Sequence, residues 1–313
     1  MYKRNVFLLL LLALFWAYPS HSQSHPISKK VHRIVFIGNS ITYSGQYVTD
    51  LEAYFLAHYP KRHLEFINLG LPSETVSGLS EEGHADGQFP RPDLHERLDR
   101  ILAQTKPDLV FACYGMNDGI YLPFDEQRFQ KFKDGINWLH DKVVQSGAEI
   151  IHLTPPVYDE KNGKSIGYAQ VLDQYSTWLL HQQETAQWEV ADIHFPMKAY
   201  LEEHRDKKAD FAFAQDGVHP NDLGHWVMAQ QILLYLGETS AARADDILST
   251  LTLTPKAREF FTLVDTRQKM MKDAWLTAIG HKRPSMNAGM PLAEAKTKEA
   301  EMEKEIRTYI GTK

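Results

Sequence analysis

A single cysteine, Cys113, is all that the 313 residues contain, which excludes an intramolecular disulfide framework and a cysteine-rich metal site. Low-complexity blocks are absent, and no apolar run reaches the roughly 20 residues that a membrane-spanning helix needs. Positive charge is not in excess either: 34 Lys and Arg stand against 40 Asp and Glu, a formal charge of -6. Such a surface repels nucleic acid and anionic lipid rather than attracting them. Histidine is plentiful, yet none of His58, His63, His84, His152, His194, His204 or His225 falls into a helical i, i+4 pair or a His/Cys cluster with ligand spacing. No metal site is therefore expected. His152 reads as a satisfied core or rim histidine, and Cys113, ending an apolar run, as a buried small hydrophobe rather than a reactive thiol.

What the sequence does contain starts with a leader. Lys3 and Arg4 precede an apolar run from Val6 to Ala17, followed by Pro19 and the small residues Ser20 and Ser22. This reads as a secretory signal peptide over residues 1–22, cleaved after Ser22, with no cysteine behind it for a lipid anchor. The expectation is an exported, periplasmic or extracellular, protein without a stable membrane anchor, its charge lowered to -8 by loss of the two cations. Residues Gln23 to His32 are polar and read as a short tether.

From Arg33 onward short apolar runs alternate with longer amphipathic ones. Candidate strands are Ile34–Ile37, Leu64–Leu69, Leu109–Cys113, Ile150–Leu153 and, more weakly patterned, Trp188–Asp192. Helical spacing covers roughly Tyr47–His58, Asp93–Gln104, Asp125–Gln145, Gly167–Thr185 and Leu223–Leu236. Continuous apolar strands alternating with helices imply an α/β fold whose mostly parallel sheet, of about five strands, is covered on both faces. Ligands gather at the carboxyl ends of such strands, so the loops there are the ones to inspect.

Those loops carry Gly38-Asn39-Ser40-Ile41-Thr42 after the first strand, Asn68 to Thr75 with Gly70 after the second, and Gly115-Met116-Asn117-Asp118 after the third. Asp216-Gly217-Val218-His219-Pro220 follows further on. Singly, each has an ordinary explanation: Gly70 as a turn residue, Asn117 as a loop cap, Asp216 as a turn former, His219 as an extended residue before Pro220. Together they make chemistry. A serine hydroxyl is a poor nucleophile until a base takes its proton, and that base must be held by a third group. Asp216 and His219 lie three apart across a glycine turn, which lets the carboxylate reach the imidazole. The amides of Ser40 and Gly70, with the Asn117 side chain, would then face the oxyanion.

These blocks, in this order and at these intervals, resemble the SGNH (GDSL-like) hydrolase superfamily over roughly Arg33 to Leu236. The resemblance implies a flavodoxin-like three-layer α/β/α sandwich, with Ser40 as nucleophile, His219 as general base oriented by Asp216, and Ser40, Gly70 and Asn117 as oxyanion-hole donors. It implies no metal and no organic cofactor. Asn39 departs from the family's Asp at that position, outside the catalytic set. The expected division is a hydrolase domain at 31–238 and a C-terminal helical extension at 239–313.

That extension is charged and helix-prone over Ala241–Thr250, Pro255–Ala278 and Leu292–Tyr309, and reads as a helical layer added to the sandwich. Its irregular connector, Gly280 to Pro291 with His281, Lys282 and Arg283, is a candidate to fold back near Ser40 and help bind substrate. Ser73, Glu74 and the stretch Glu81–Asp93 are candidates to wall the pocket. The expected reaction is hydrolysis of a small-molecule or glycan ester through an acyl-serine, with O-acetyl groups on a carbohydrate as the leading substrate. A histidine base implies activity falling below neutral pH. The alternatives are a lipase-like or thioesterase activity and a non-catalytic exported carbohydrate-binding protein.

Overall fold

The computed structural model describes residues 25–253 and 255–311, so the expected signal peptide lies outside the described residues. Five strands, β1 (Arg33–Gly38), β2 (Glu65–Asn68), β3 (Leu109–Cys113), β4 (Glu149–Leu153) and β5 (Glu189–Ala191), pair in the order β2-β1-β3-β4-β5. Every pairing is parallel. This is the flavodoxin-like order, with its switch point between β1 and β3. The intervening helices are α1 (Ser40–Ser44), α2 (Gln46–His58), α3 (Leu98–Thr105), α4 (Glu126–Gln145) and α5 (Tyr168–Thr185); α6 (His194–Lys207) and α7 (Asp222–Tyr235) follow β5.

The helices bury the strands on both faces. Ile34, Val35, Phe36 and Ile37 of β1 have no exposed surface. The Phe36 ring stacks between Phe66 and Phe111 of the two neighbouring strands, at 5.9 and 4.9 Å. Register then fixes where the loops begin. Gly38 pairs with Cys113, so the turns after β1 and β3 leave the sheet at one level. The amides of Leu69 and Leu71 continue the ladder onto Phe36 and Gly38 carbonyls, each at 2.8 Å, and bring the loop after β2 to that level as well.

Two expectations are corrected. The segment Asp93–Gln104 is not one helix: a 3-10 turn over Leu94–Glu96 breaks at Arg97 (φ -129°) before α3 begins. The break lets the Arg97 side chain turn inward, where its guanidinium binds both carboxylate oxygens of fully buried Glu74 at 2.6 and 2.7 Å. Residues 25–32 are not a free tether either. Val31 is buried, the His25 ring stacks on Tyr235 at 4.8 Å, and Arg62 holds the carbonyls of Ile27 and Ser28 at 2.9 and 2.7 Å.

The C-terminal chain adds the short α8 (Ile247–Thr250), then α9 (Ala257–Ile279) and α10 (Leu292–Tyr309). Phe260, Val264, Ala274 and Leu276 of α9 are buried in the same apolar core as the sheet. Gln268 Nε2 donates to the Phe66 carbonyl at 2.9 Å, which covers an edge strand that would otherwise present open acceptors. These helices form the added layer that their composition suggested.

Candidate active site

Ser40 opens α1 immediately beyond β1. Gly38 makes the turn possible, because a Cβ there would stand 2.3 Å from Thr42 Oγ1 and 2.7 Å from the Cys113 carbonyl. Asn39 is buried and caps α1, its Oδ1 accepting the Ile41 amide at 3.0 Å, a bond that an aspartate would also make. The departure from the motif therefore leaves the turn intact.

The turn before α7 supplies the base. His219 Nε2 lies 2.8 Å from Ser40 Oγ, and His219 Nδ1 lies 2.6 Å from Asp216 Oδ2. The other Asp216 oxygen accepts the amides of Val218 and His219 at 2.9 and 2.8 Å. Partial burial alone would raise the Asp216 pKa, but the His219 side chain and the two amides outweigh it and hold the carboxyl down to about 2. Asp216 is thus ionised at neutral pH and accepts a hydrogen bond from Nδ1–H, leaving Nε2 to face the hydroxyl. Gly217 (φ +80°) closes the turn where a Cβ would meet Gly163 Cα at 2.5 Å. The side chains of His219 and Asp216 remain 51% and 56% exposed, so the triad opens on solvent.

Asn117, after β3, is only 2% exposed and completely oriented. Its Oδ1 accepts the Tyr121 hydroxyl at 3.0 Å, and one Nδ2 hydrogen goes to the Glu74 carbonyl at 3.1 Å. The second Nδ2 hydrogen is left for a ligand. Asp118, for which the sequence suggested no role, ties this loop to the one after β2: it accepts the amides of Gly115, Val76 and Ser77 at 2.8 to 2.9 Å.

Gly70 is a correction. Its N–H already donates to Asn68 Oδ1 at 2.9 Å and is not free to meet an oxyanion. The glycine is required for space instead, since a Cβ would stand 2.3 Å from the Tyr43 amide. Three residues on, Ser73 takes φ +67°, a conformation costly for a residue with a side chain. Among the described residues its N–H has no protein acceptor, and the carbonyl of the following residue, Glu74, is the one that Asn117 holds. Glu74 is corrected too. Its carboxylate does not wall a pocket but is fully buried, paired with Arg97 and accepting the Tyr114 hydroxyl at 2.6 Å.

A second serine–histidine contact, which the sequence did not signal, braces α1 from below. His225 Nε2 lies 2.9 Å from Ser44 Oγ, whose own proton goes to the Ile41 carbonyl. Burial, aided by His219 nearby, pushes the His225 pKa down to about 4, so the ring is neutral. Cys113 is buried as expected, its thiol pushed up to about 12 by desolvation. His152 is fully buried against His140 and Trp188, its pKa pushed down to about 3 chiefly by burial.

A serine activated by a histidine–aspartate pair, at the carboxyl edge of a parallel α/β sheet, defines the class: a serine hydrolase. The model of the GDSL-like Lipase/Acylhydrolase family matches residues 36–227, and the chain belongs to that family, within the SGNH hydrolase superfamily. It is an ester-hydrolysing enzyme. An acetylxylan esterase from Geobacillus stearothermophilus is 25% identical over 225 residues, 66% of this chain and 94% of that one. Among solved structures, a hydrolase from the metagenome of Lake Arreo aligns with a TM-score of 0.52 at 23% identity, covering 66% of this chain and 95% of that one. A gut microbial diltiazem-metabolizing enzyme aligns at 0.56 and 22% identity; the match covers 69% of this chain but only 49% of that one. These structural likenesses bear on the fold.

Proposed function

We propose that this enzyme removes O-acetyl groups from a carbohydrate after export from the cell. The observation that carries the reaction is the Asp216–His219–Ser40 relay, with contacts of 2.6 and 2.8 Å. His219 takes the Ser40 proton as Oγ attacks the ester carbonyl. The tetrahedral oxyanion forms against the amides of Ser40 and Ser73 and the free Nδ2 hydrogen of Asn117. His219 then protonates the leaving alcohol, and water repeats the sequence on the acyl-serine to release the acid.

Three things support an acetylated glycan as substrate. The triad is half exposed, so a large alcohol part has room outside while a small acyl group sits against Ser40. The loop after β2 is polar, with Arg91 reaching the Ser73 carbonyl at 3.5 Å and paired with Glu81. The acetylxylan esterase is a relative over two thirds of this chain. Export rests on the leader sequence. Acetate release from a panel of acetylated oligosaccharides, set beside long-chain acyl esters, tests the reading, with Ser40→Ala as control. Preference for the acetylated sugars is expected, and a preference for long acyl chains would favour the lipase-like alternative.

A further inference from the structure

We propose that Arg283, from the loop between α9 and α10, is a positioning residue that aims the Ser73 N–H into the oxyanion hole. The inference rests on the reading of Ser40 and Ser73 just given. Arg283 Nε donates to the Pro72 carbonyl at 3.0 Å. That carbonyl and the Ser73 N–H belong to one peptide plane and point in opposite directions across it. A cation fastened to the oxygen therefore fixes the direction of the N–H and polarises it as a donor.

The peptide needs such a hold. Ser73 sits at φ +67° without being glycine, a geometry that persists only where the surroundings over-determine it. Arg91 approaches the Ser73 carbonyl at 3.5 Å from the far side, itself clamped by Glu81 through two bonds of 2.6 Å. Asn117 holds the following carbonyl. Arg283 is the one of these supports that comes from outside residues 36–227, the span that the family model matches.

Its own placement is built, not incidental. Arg100 of α3 donates to the carbonyls of Ile279 and Gly280 at 2.9 and 3.0 Å, which pins the end of α9 where the loop departs. The loop is stapled back by the Gly289 amide to Thr277 Oγ1 at 2.8 Å, at a contact so close that a Cβ on Gly289 would meet the Asp273 backbone at 2.2 Å. The guanidinium lies over the Phe89 ring at 5.4 Å, and Nη1 donates to the Pro284 carbonyl at 3.0 Å. The sequence offered this loop as a candidate to help bind substrate near Ser40; its contact here is with the carbonyl of the Pro72–Ser73 peptide.

The test uses the full chain with Arg283→Ala, Arg283→Lys and Ser40→Ala, assayed on a small aryl acetate and with an aryl boronic acid as tetrahedral adduct. Arg283→Ala is expected to lower kcat by about ten- to a hundredfold, a partial loss of one donor, with KM within about twofold. Boronate affinity should fall by the same factor as kcat/KM. Arg283→Lys, which keeps a charge and a donor, should recover most of the loss at an unchanged melting temperature. Unchanged kcat in Arg283→Ala overturns the proposal, as does a loss confined to KM, which would make Arg283 a substrate contact. A lysine variant as impaired as the alanine one, with a matching fall in melting temperature, overturns it in favour of general support. Turnover by Ser40→Ala would instead overturn the reading of the site itself.

Discussion

In the proposed reaction Ser40 becomes reactive through residues that the chain brings together across 179 positions. His219 supplies a base at 2.8 Å, and Asp216 keeps that base oriented by staying charged down to about pH 2. Asn117 contributes differently, because both ends of its amide are committed before substrate arrives: Tyr121 fixes the oxygen and Glu74 one hydrogen. Such preorganisation is what gives an oxyanion donor its value. Asn117→Ala should lower kcat on the order of a hundredfold or more with little effect on KM; a comparison of kcat and KM on an aryl acetate checks it. Ser40, Asn117, Asp216 and His219 were legible because residue type and local spacing carry their chemistry. Ser73 was not legible. Gly70 is the glycine in that loop, and the positive φ falls on a serine whose preceding carbonyl, that of Pro72, is bound by Arg283 from 211 positions away.

At the scale of elements, strand positions were readable to within a residue or two, since apolar runs bounded by turn residues mark them. Arg97 and Asp50 answer to contacts that strand and helix periods do not encode. Arg97 breaks a segment with helical spacing in order to neutralise Glu74, a tertiary demand that periodicity does not encode. Asp50 lies buried inside α2 with Gln46 Nε2 at 2.9 Å as its hydrogen-bond partner, and burial pushes its pKa from 3.8 up to about 8. The unfolded carboxyl loses its proton near 3.8 while the folded one keeps it to about 8, so stability is lost as pH rises across that interval. Asp50→Asn removes this penalty. It should stabilise the protein by on the order of 1–3 kcal/mol at pH 8, with the gain shrinking toward pH 4. Urea unfolding of both proteins at several pH values measures it, and a gain independent of pH would contradict the assignment.

The whole molecule joins a hydrolase sheet to helices that do more than cover it. The extension closes the outer edge of β2 through Gln268 and sets Lys272 Nζ on the Tyr43 carbonyl at 2.9 Å, in the last turn of α1. The same chain sends Arg283 to Pro72. Composition announced helices after residue 238, but which surface they would meet depends on packing between segments more than 200 residues apart. The α/β order was recoverable because strand and helix periods alternate along the chain; the extension's placement has no such local record. At the centre of this arrangement stands the claim that Ser40 is the nucleophile. Labelling the intact enzyme with a fluorophosphonate and mapping the adduct by mass spectrometry tests it most directly. The account predicts one adduct, on the peptide carrying Ser40, with parallel loss of ester turnover and no labelling of Ser40→Ala; turnover that survives labelling, or an adduct on another residue, would contradict it.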